Sequence, residues 1–337
     1  LPGEALAAAA AVAGELRVAY ARLTGVTAAE IAITHHTAEG VNIIAQGFPW
    51  RPGDRVLTVS VEYPSNVYPW WNIKDRGVET VAVPERNGRV DMEELVGAID
   101  ERVRVVAVGH VQFASGFALD LHRIAGACRA RGVFLFVDIA QSLGILPVDL
   151  SEVDAAAWPT WKWMMGPLGM GGFYLASRHL DTIRPSFVGV DAMVATPDYL
   201  DYRFELKPDA SRFEYSSSNT LGLIGCLDAL HRVETLLPCL SSGEVAAHVQ
   251  ELGDQLTAGL EPLGFSLYSA RGAGERSGIF SFTTPDLPAD AHRRLRAAGI
   301  EAAVRAGRLR FSPHFYNTPE DIDRAIAALH SPFRASG

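Results

Sequence analysis

Lys162 stands between Trp161 and Trp163, directly after an apolar run and just before the glycine-rich turn Gly166-Pro167-Leu168-Gly169-Met170-Gly171-Gly172. A lysine held among aromatic rings is desolvated. That lowers its pKa and makes the neutral amine a nucleophile able to form an imine. The glycines would let backbone approach a ligand closely. The competing reading is a lysine whose stem lies over aromatic surface while its charge stays in water.

Asp138 closes the apolar run Val133-Phe134-Leu135-Phe136-Val137 and opens Asp138-Ile139-Ala140-Gln141. In open α/β sheets ligands sit at the carboxyl ends of strands. A carboxylate there needs a cationic partner, for which a protonated pyridine nitrogen would serve; otherwise it caps a helix. Thr34-His35-His36-Thr37-Ala38-Glu39-Gly40 follows the first strand and opens a helix. Free backbone N–H groups at such a start bind phosphate; the competing reading is simple capping, with Thr37 as N-cap. His35 and His36 have no Cys, His or Asp cluster beside them, so no metal site is expected. Gly272–Gly278 lacks the G-x-G-x-x-G pattern and precedes a strand instead of following one. Walker, HExxH and CxxC motifs are absent.

The elements that must position these residues alternate. Apolar runs at Ile31–Thr34, Arg55–Ser60, Glu79–Val83, Val103–Val111, Val133–Asp138, Ala155–Trp158 and Gly172–Ala176 are separated by helical patterns. Several are apolar on both faces, as strands buried in a parallel sheet are. Leu121, Ile124, Ala125 and Cys128 form one helical face, and Gly132 stops that helix. The β-α-β-α order predicts an open α/β sheet with right-handed crossovers. From about residue 219 the pattern changes. Long helices (Asn219 to Leu237, interrupted at Pro238, then Gly243 to Leu260) lead into short strands at Phe265–Ser269, Gly278–Thr283 and Arg308–Ser312. Helices at Ala289–Ala298 and Pro319–Leu329 complete the set. The expected division is a large α/β domain over residues 1–218, then a linking helix and a small α+β domain over 219–337.

Composition supports a globular chain of about two domains: 337 residues, 48% hydrophobic and 20% charged, with 30 basic against 39 acidic side chains. An acidic chain without basic blocks is a poor partner for nucleic acid or anionic membrane. The alanine-rich run Leu6–Ala13 is far shorter than a membrane span, and no basic region precedes it as in a signal peptide. Three cysteines make no disulfide framework and fit a reducing compartment, so a cytoplasmic location is expected. The chain begins at Leu1 and not at Met, which suggests that an N-terminal segment is missing.

Together the DIAQS, TWKWMMGPLGMGGFY, RFEYSSSNT and LRFSPHFYNTPEDID stretches resemble the class V aminotransferase and cysteine desulfurase superfamily, over about residues 16–330. The resemblance implies the fold-type-I architecture, a mostly parallel seven-stranded sheet with a smaller C-terminal domain, and dependence on pyridoxal 5'-phosphate (PLP). It places Lys162 at the Schiff-base lysine, Asp138 at the aspartate of the pyridine nitrogen and Gln141 near the cofactor's phenolic oxygen. Tyr63 matches the ring stacked on the pyridine, and Thr37-Ala38-Glu39 the phosphate-binding turn. Ser217 matches a residue reaching the phosphate of a neighbouring subunit, which implies a homodimer with shared active sites. Arg310 matches the arginine that grips the substrate carboxylate.

The chain departs from the family at several points. Pro159-Thr160-Trp161 replaces a Ser-x-His, leaving Thr160 and the Trp161 N–H as candidate phosphate ligands. Phe113 stands where many members have Asn, and Gln112 is a candidate to compensate. Ala38 stands where relatives often have a second Thr, and the resemblance leads us to expect that the family's N-terminal arm is missing. A desulfurase also needs a thiolate on the loop before the Arg310 strand, and residues 265–309 contain no Cys. The leading expectation is therefore an aminotransferase acting on an amino acid or amine. The alternatives are a C–S lyase working by β-elimination, an enzyme similar to isopenicillin N epimerase, or a non-catalytic binding member of the fold.

Overall fold

The computed structural model describes residues 2–198, 200–235 and 243–330. Leu237 and Pro238, at the expected helix interruption, and Cys239, one of the three cysteines, lie outside the described residues.

Nine strands belong to the N-terminal body: β1 (Ile31–Thr34), β2 (Arg55–Val59), β3 (Glu79–Val83), β4 (Glu85–Arg86), β5 (Arg89–Val90), β6 (Val103–Gly109), β7 (Phe134–Asp138), β8 (Ala155–Pro159) and β9 (Gly171–Leu175). β4 and β5 form a separate hairpin. The others make a seven-stranded sheet in the order β1-β9-β8-β7-β6-β2-β3, in which β9 alone runs against the rest. The carboxyl ends of β1, β2, β6, β7 and β8 therefore share one edge.

Side chains alternate along each strand, so the sheet has two cores. Leu135 and Val137 face one, with Leu16 and Tyr20 of α1 (Pro2–Thr24) and Ile124 and Cys128 of a later helix, Leu121–Arg131. Phe134 and Phe136 face the other, with Val41 and Ile44 of α2 (Thr37–Gly47). The connections also carry α3 (Tyr68–Trp71), α4 (Met92–Gly97) and the Leu121–Arg131 helix, α5. Asp120 caps α5 by accepting from the Arg123 N–H at 3.0 Å. Gly132 ends it at φ 64°, a left-handed conformation that glycine adopts without a Cβ clash.

α6 (Thr220–Thr235) packs Leu223, Cys226 and Leu230 into the same core as α1. The C-terminal body has α7 (Glu244–Leu260), β10 (Ser266–Leu267), β11 (Phe280–Thr283), α8 (Pro288–Ala297), β12 (Ala303–Arg305), β13 (Arg308–Phe311) and α9 (Pro319–His330). Its antiparallel sheet has the order β10-β11-β13-β12. Val249, Leu252 and Leu256 of α7 cover Phe280, Phe282 and Leu309. Trp163 and Ile145 of the N-terminal body insert into this core as well. The structure adds β12, whose three residues were too few to stand out as a run. It also shortens the expected Phe265–Ser269 strand to Ser266–Leu267, which pair in register with Thr283 and Phe282, while the Tyr268 N–H still donates to the Ser281 carbonyl of β11 at 2.7 Å.

Candidate active site

Asp138 is the last residue of β7 and is buried. Its Oδ1 accepts the Ala140 N–H at 2.8 Å. Burial raises its pKa, while the nearby Lys162 charge and the Ala140 N–H work against that rise. The carboxylate is thus a desolvated acid held at the sheet edge by a short turn and not by a helix.

Lys162 follows β8 in a turn from Thr160 to Met170. The Thr160 N–H donates to the Met170 carbonyl at 3.0 Å, the Gly166 N–H to Thr160 at 2.9 Å and the Met165 N–H to Lys162 at 3.0 Å. Met165 takes a left-handed φ of 53° within that turn, a conformation that costs a non-glycine residue on the order of 1 kcal/mol or more. The half-buried Lys162 has its Nζ 5.4 Å from the Tyr63 ring centre and 5.6 Å from that of Trp161. Burial lowers its pKa first. Arg310 adds to the shift and Asp138 opposes it. Of the two tryptophans that flank it in sequence only Trp161 lies beside the amine: Trp163 packs into the C-terminal core, and Tyr63 is the second ring near Nζ.

Tyr63 stands edge-on to Phe113, ring centres 5.2 Å apart at 80°. Gln141 accepts the Trp163 indole N–H on Oε1 at 3.2 Å, which leaves its amide NH2 end to donate. At the start of α2 the N-cap is His36 and not Thr37. The His36 Nδ1 accepts the Glu39 N–H at 3.2 Å, and Thr37 is already the first helical residue. Among the described residues the N–H groups of Thr37 and Ala38, at the first turn of α2, have no acceptor, as suits an anion site. Glu39 in turn pairs with His35 at 2.9 Å. No metal-binding cluster occurs among the described residues.

Two further expectations change. The buried Thr160 hydroxyl lies 2.9 Å from the Pro167 carbonyl and 3.0 Å from that of Met170, so its single proton is committed inside the turn and not to a phosphate. Gln112 does not replace the missing Asn. Its NH2 serves Glu62 Oε1 at 3.0 Å and the Gly109 carbonyl at 3.1 Å, beneath the site. Trp161 is 48% exposed, and its backbone N–H has no partner among the described residues. Ser217 is exposed and lines a surface cleft with Thr34, His35 and Glu39, apart from Lys162.

Arg310 reaches the site from β13. Its Nη1 donates to the Phe113 carbonyl at 2.6 Å, and its buried Nε has no partner. Burial pulls its pKa down to about 10. A desolvated guanidinium with an unused donor is a binder in search of an acceptor. Sequence reasoning missed two residues. Glu62, just before Tyr63, is a buried acid, and only its proximity to Tyr63 could have drawn notice. His314 is buried, accepts the Phe315 N–H on Nδ1 at 2.9 Å, and therefore carries its proton on Nε2, 3.0 Å from the Trp163 carbonyl.

These groups fit PLP. A buried acid suits a ring nitrogen, a partly desolvated amine suits an aldehyde, and Tyr63 offers a flat face. The free amide of Gln141 suits a phenolic oxygen, and two free helix-start N–H groups suit a phosphate.

The aminotransferase class-V family model matches residues 4–325. A probable cysteine desulfurase from Methanothermobacter thermautotrophicus is 29% identical over 335 residues, covering 91% of this chain and 80% of the relative. The solved apo cysteine desulfurase from Thermococcus onnurineus NA1 is 25% identical, with a TM-score of 0.86 over 95% of this chain and 83% of that one. The cystine C–S lyase C-DES, solved with its product cysteine persulfide, is 26% identical, with a TM-score of 0.87 over 95% and 86%. No helix among the described residues is long and apolar enough to cross a membrane.

Proposed function

The chain belongs to the aminotransferase class-V family of fold-type-I, PLP-dependent enzymes, and from that premise we propose that it is a C–S lyase. In this reading it cleaves a sulfur-containing amino acid by β-elimination and releases the sulfur directly to solution. The observation that carries the reading is a site with an amine, an acid and a guanidinium but no thiol in residues 265–309, before the Arg310 strand. A relative that is a cystine C–S lyase and several named as desulfurases make sulfur amino acids the favoured substrates. Transamination, the first expectation, would use the same binding groups but accords less well with those relatives.

When bound, PLP supplies the electron sink for the carbon next to the substrate amine. The protein supplies position and charge. Arg310 would hold the α-carboxylate through its free donors. Lys162 would hold the cofactor. Its depressed pKa favours the neutral amine, which is the form that can accept the α-proton. Asp138 would keep a proton on the ring nitrogen, Tyr63 would cover one ring face, and Thr37 and Ala38 would bind the phosphate. We also read the enzyme as a homodimer. Phe187, Val190, Tyr202 and Phe204 are exposed apolar side chains that a second copy would cover. Exposed Ser217 would then serve the partner's site. The chain's division at 218/219 is likewise our reading, with α6 as the link.

The test is product analysis with L-cystine or L-cysteine and no added keto acid. Equal amounts of pyruvate and ammonia should form, with sulfur in solution as a low-molecular-weight persulfide or sulfide. Alanine with persulfide on a protein thiol would identify a desulfurase. Turnover only with a keto-acid acceptor would identify an aminotransferase.

A further inference from the structure

Glu62 is a buried carboxylate that pairs with no basic residue among the described residues. It sits just past the end of β2, and its Oε1 accepts the Gly109 N–H at 2.7 Å and the Gln112 amide at 3.0 Å. Its Oε2 accepts from Asn66 at 3.1 Å, and Asn66 is itself held by the Trp70 indole N–H at 3.0 Å. The charged group that faces it is Asp138, across β6, where Gly109 pairs in register with Asp138. The groups that bond to it from β6, its following loop and the 64–70 turn, Gly109, Gln112 and Asn66, are uncharged, and the titratable residue of that loop is His110, next to Gly109.

This carboxylate joins two peptide segments one residue before each matters. Tyr63 follows Glu62, and Phe113 follows Gln112. Those two rings form the edge-on pair at the site, and the Phe113 carbonyl takes the Arg310 guanidinium. We infer that Glu62 is a positioning residue: it locks the Tyr63–Phe113 pair, and through Phe113 sets Arg310, for PLP and its substrate. The inference holds whichever reaction the site performs.

Three N–H donors converge on two oxygens, so the ionised form is the one that satisfies them all. Burial pushes the Glu62 pKa up to about 7, with Asp138 adding to the rise. Gln at this position would turn an NH2 toward a donor. A Cβ on Gly109 would lie 3.1 Å from Glu62 Oε2, close enough that the carboxylate would have to shift by a few tenths of an ångström.

The experiment is the PLP dissociation constant of the full chain, titrated into PLP-free protein above and below the Glu62 ionisation. Above it, Glu62→Gln should weaken PLP binding about tenfold, the size expected for one unsatisfied buried donor. Below it the wild-type side chain is neutral too, so the ratio of the two constants should shrink toward one. A ratio that is independent of pH, or no weakening at all, overturns the inference. If Glu62→Gln does not fold, Gly109→Ala carries the test, because its added methyl presses the Glu62 carboxylate out of position without changing that residue. Wild-type PLP affinity in Gly109→Ala overturns the inference equally.

Discussion

Arg310, on the small antiparallel sheet, donates from Nη1 to the carbonyl of Phe113, in the loop after β6 of the large sheet, at 2.6 Å. The contact joins the two bodies at the mouth of the site. It fixes one arm of the guanidinium and leaves Nε buried and unpartnered. A preorganised fork loses little freedom when a carboxylate arrives.

Arg310→Ala should therefore lower kcat/KM for an α-amino acid by about 30-fold to several thousand-fold, the range for a buried charged bond worth about 2–5 kcal/mol. Arg310→Lys should recover only part, because a point charge lacks the planar fork. PLP uptake should not change. The control is the matching amine without a carboxylate. An equal loss on both substrates would make Arg310 structural and leave carboxylate binding to another group.

Replacing all three cysteines by Ala should leave the rate of the chemical step unchanged within error. Burial pushes the Cys128 thiol up to about 12 and also raises Cys226, so neither is a ready thiolate. The Cys128 change should cost on the order of 1 kcal/mol of stability, as a small core truncation does. Stoichiometric persulfide on the wild-type chain during turnover, lost in the variant, would contradict this.

His110 carries a pH dependence of stability. Burial lowers its pKa from 6.5 to about 4, and its Nδ1 is buried without a partner. The unfolded chain therefore takes the proton first. Stability from this group is complete above pH 6.5 and is lost as pH falls toward 4, by about 3 kcal/mol at most. Urea unfolding of the wild type and His110→Asn across that window should show a steeper decline on acidification for the wild type. Parallel curves would assign the acid sensitivity elsewhere.

Much of this was legible in the sequence, because strands buried on both faces must be apolar throughout. Val133–Asp138 could be read that way, and a chemistry-bearing residue at the end of such a run falls at the ligand edge of the sheet. Asp138 was flagged by that logic and Lys162 by its flanking tryptophans after a buried run, and their roles came from the family resemblance. Residues whose role depends on which way a side chain turns were not legible. Thr37 and His36 both suit a helix start, and only the reach of Nδ1 decides between them. The Thr160 hydroxyl and the Gln112 amide face inward because nearer partners lie there. Glu62 is indistinguishable in the sequence from a surface acid. Its burial arises from β6, residues distant along the chain.

Lys162 is the residue proposed to hold PLP, and every other assignment at the site follows from it. The chain contains three lysines, Lys74, Lys162 and Lys207, so the assignment can be decided in one measurement. The PLP-loaded protein is reduced with borohydride, digested and mapped by mass spectrometry. A pyridoxyl group on the peptide containing Lys162, absent from Lys162→Ala, is the result expected. The label on Lys74 or Lys207, or no covalent label on a chain that has taken up PLP, would contradict it.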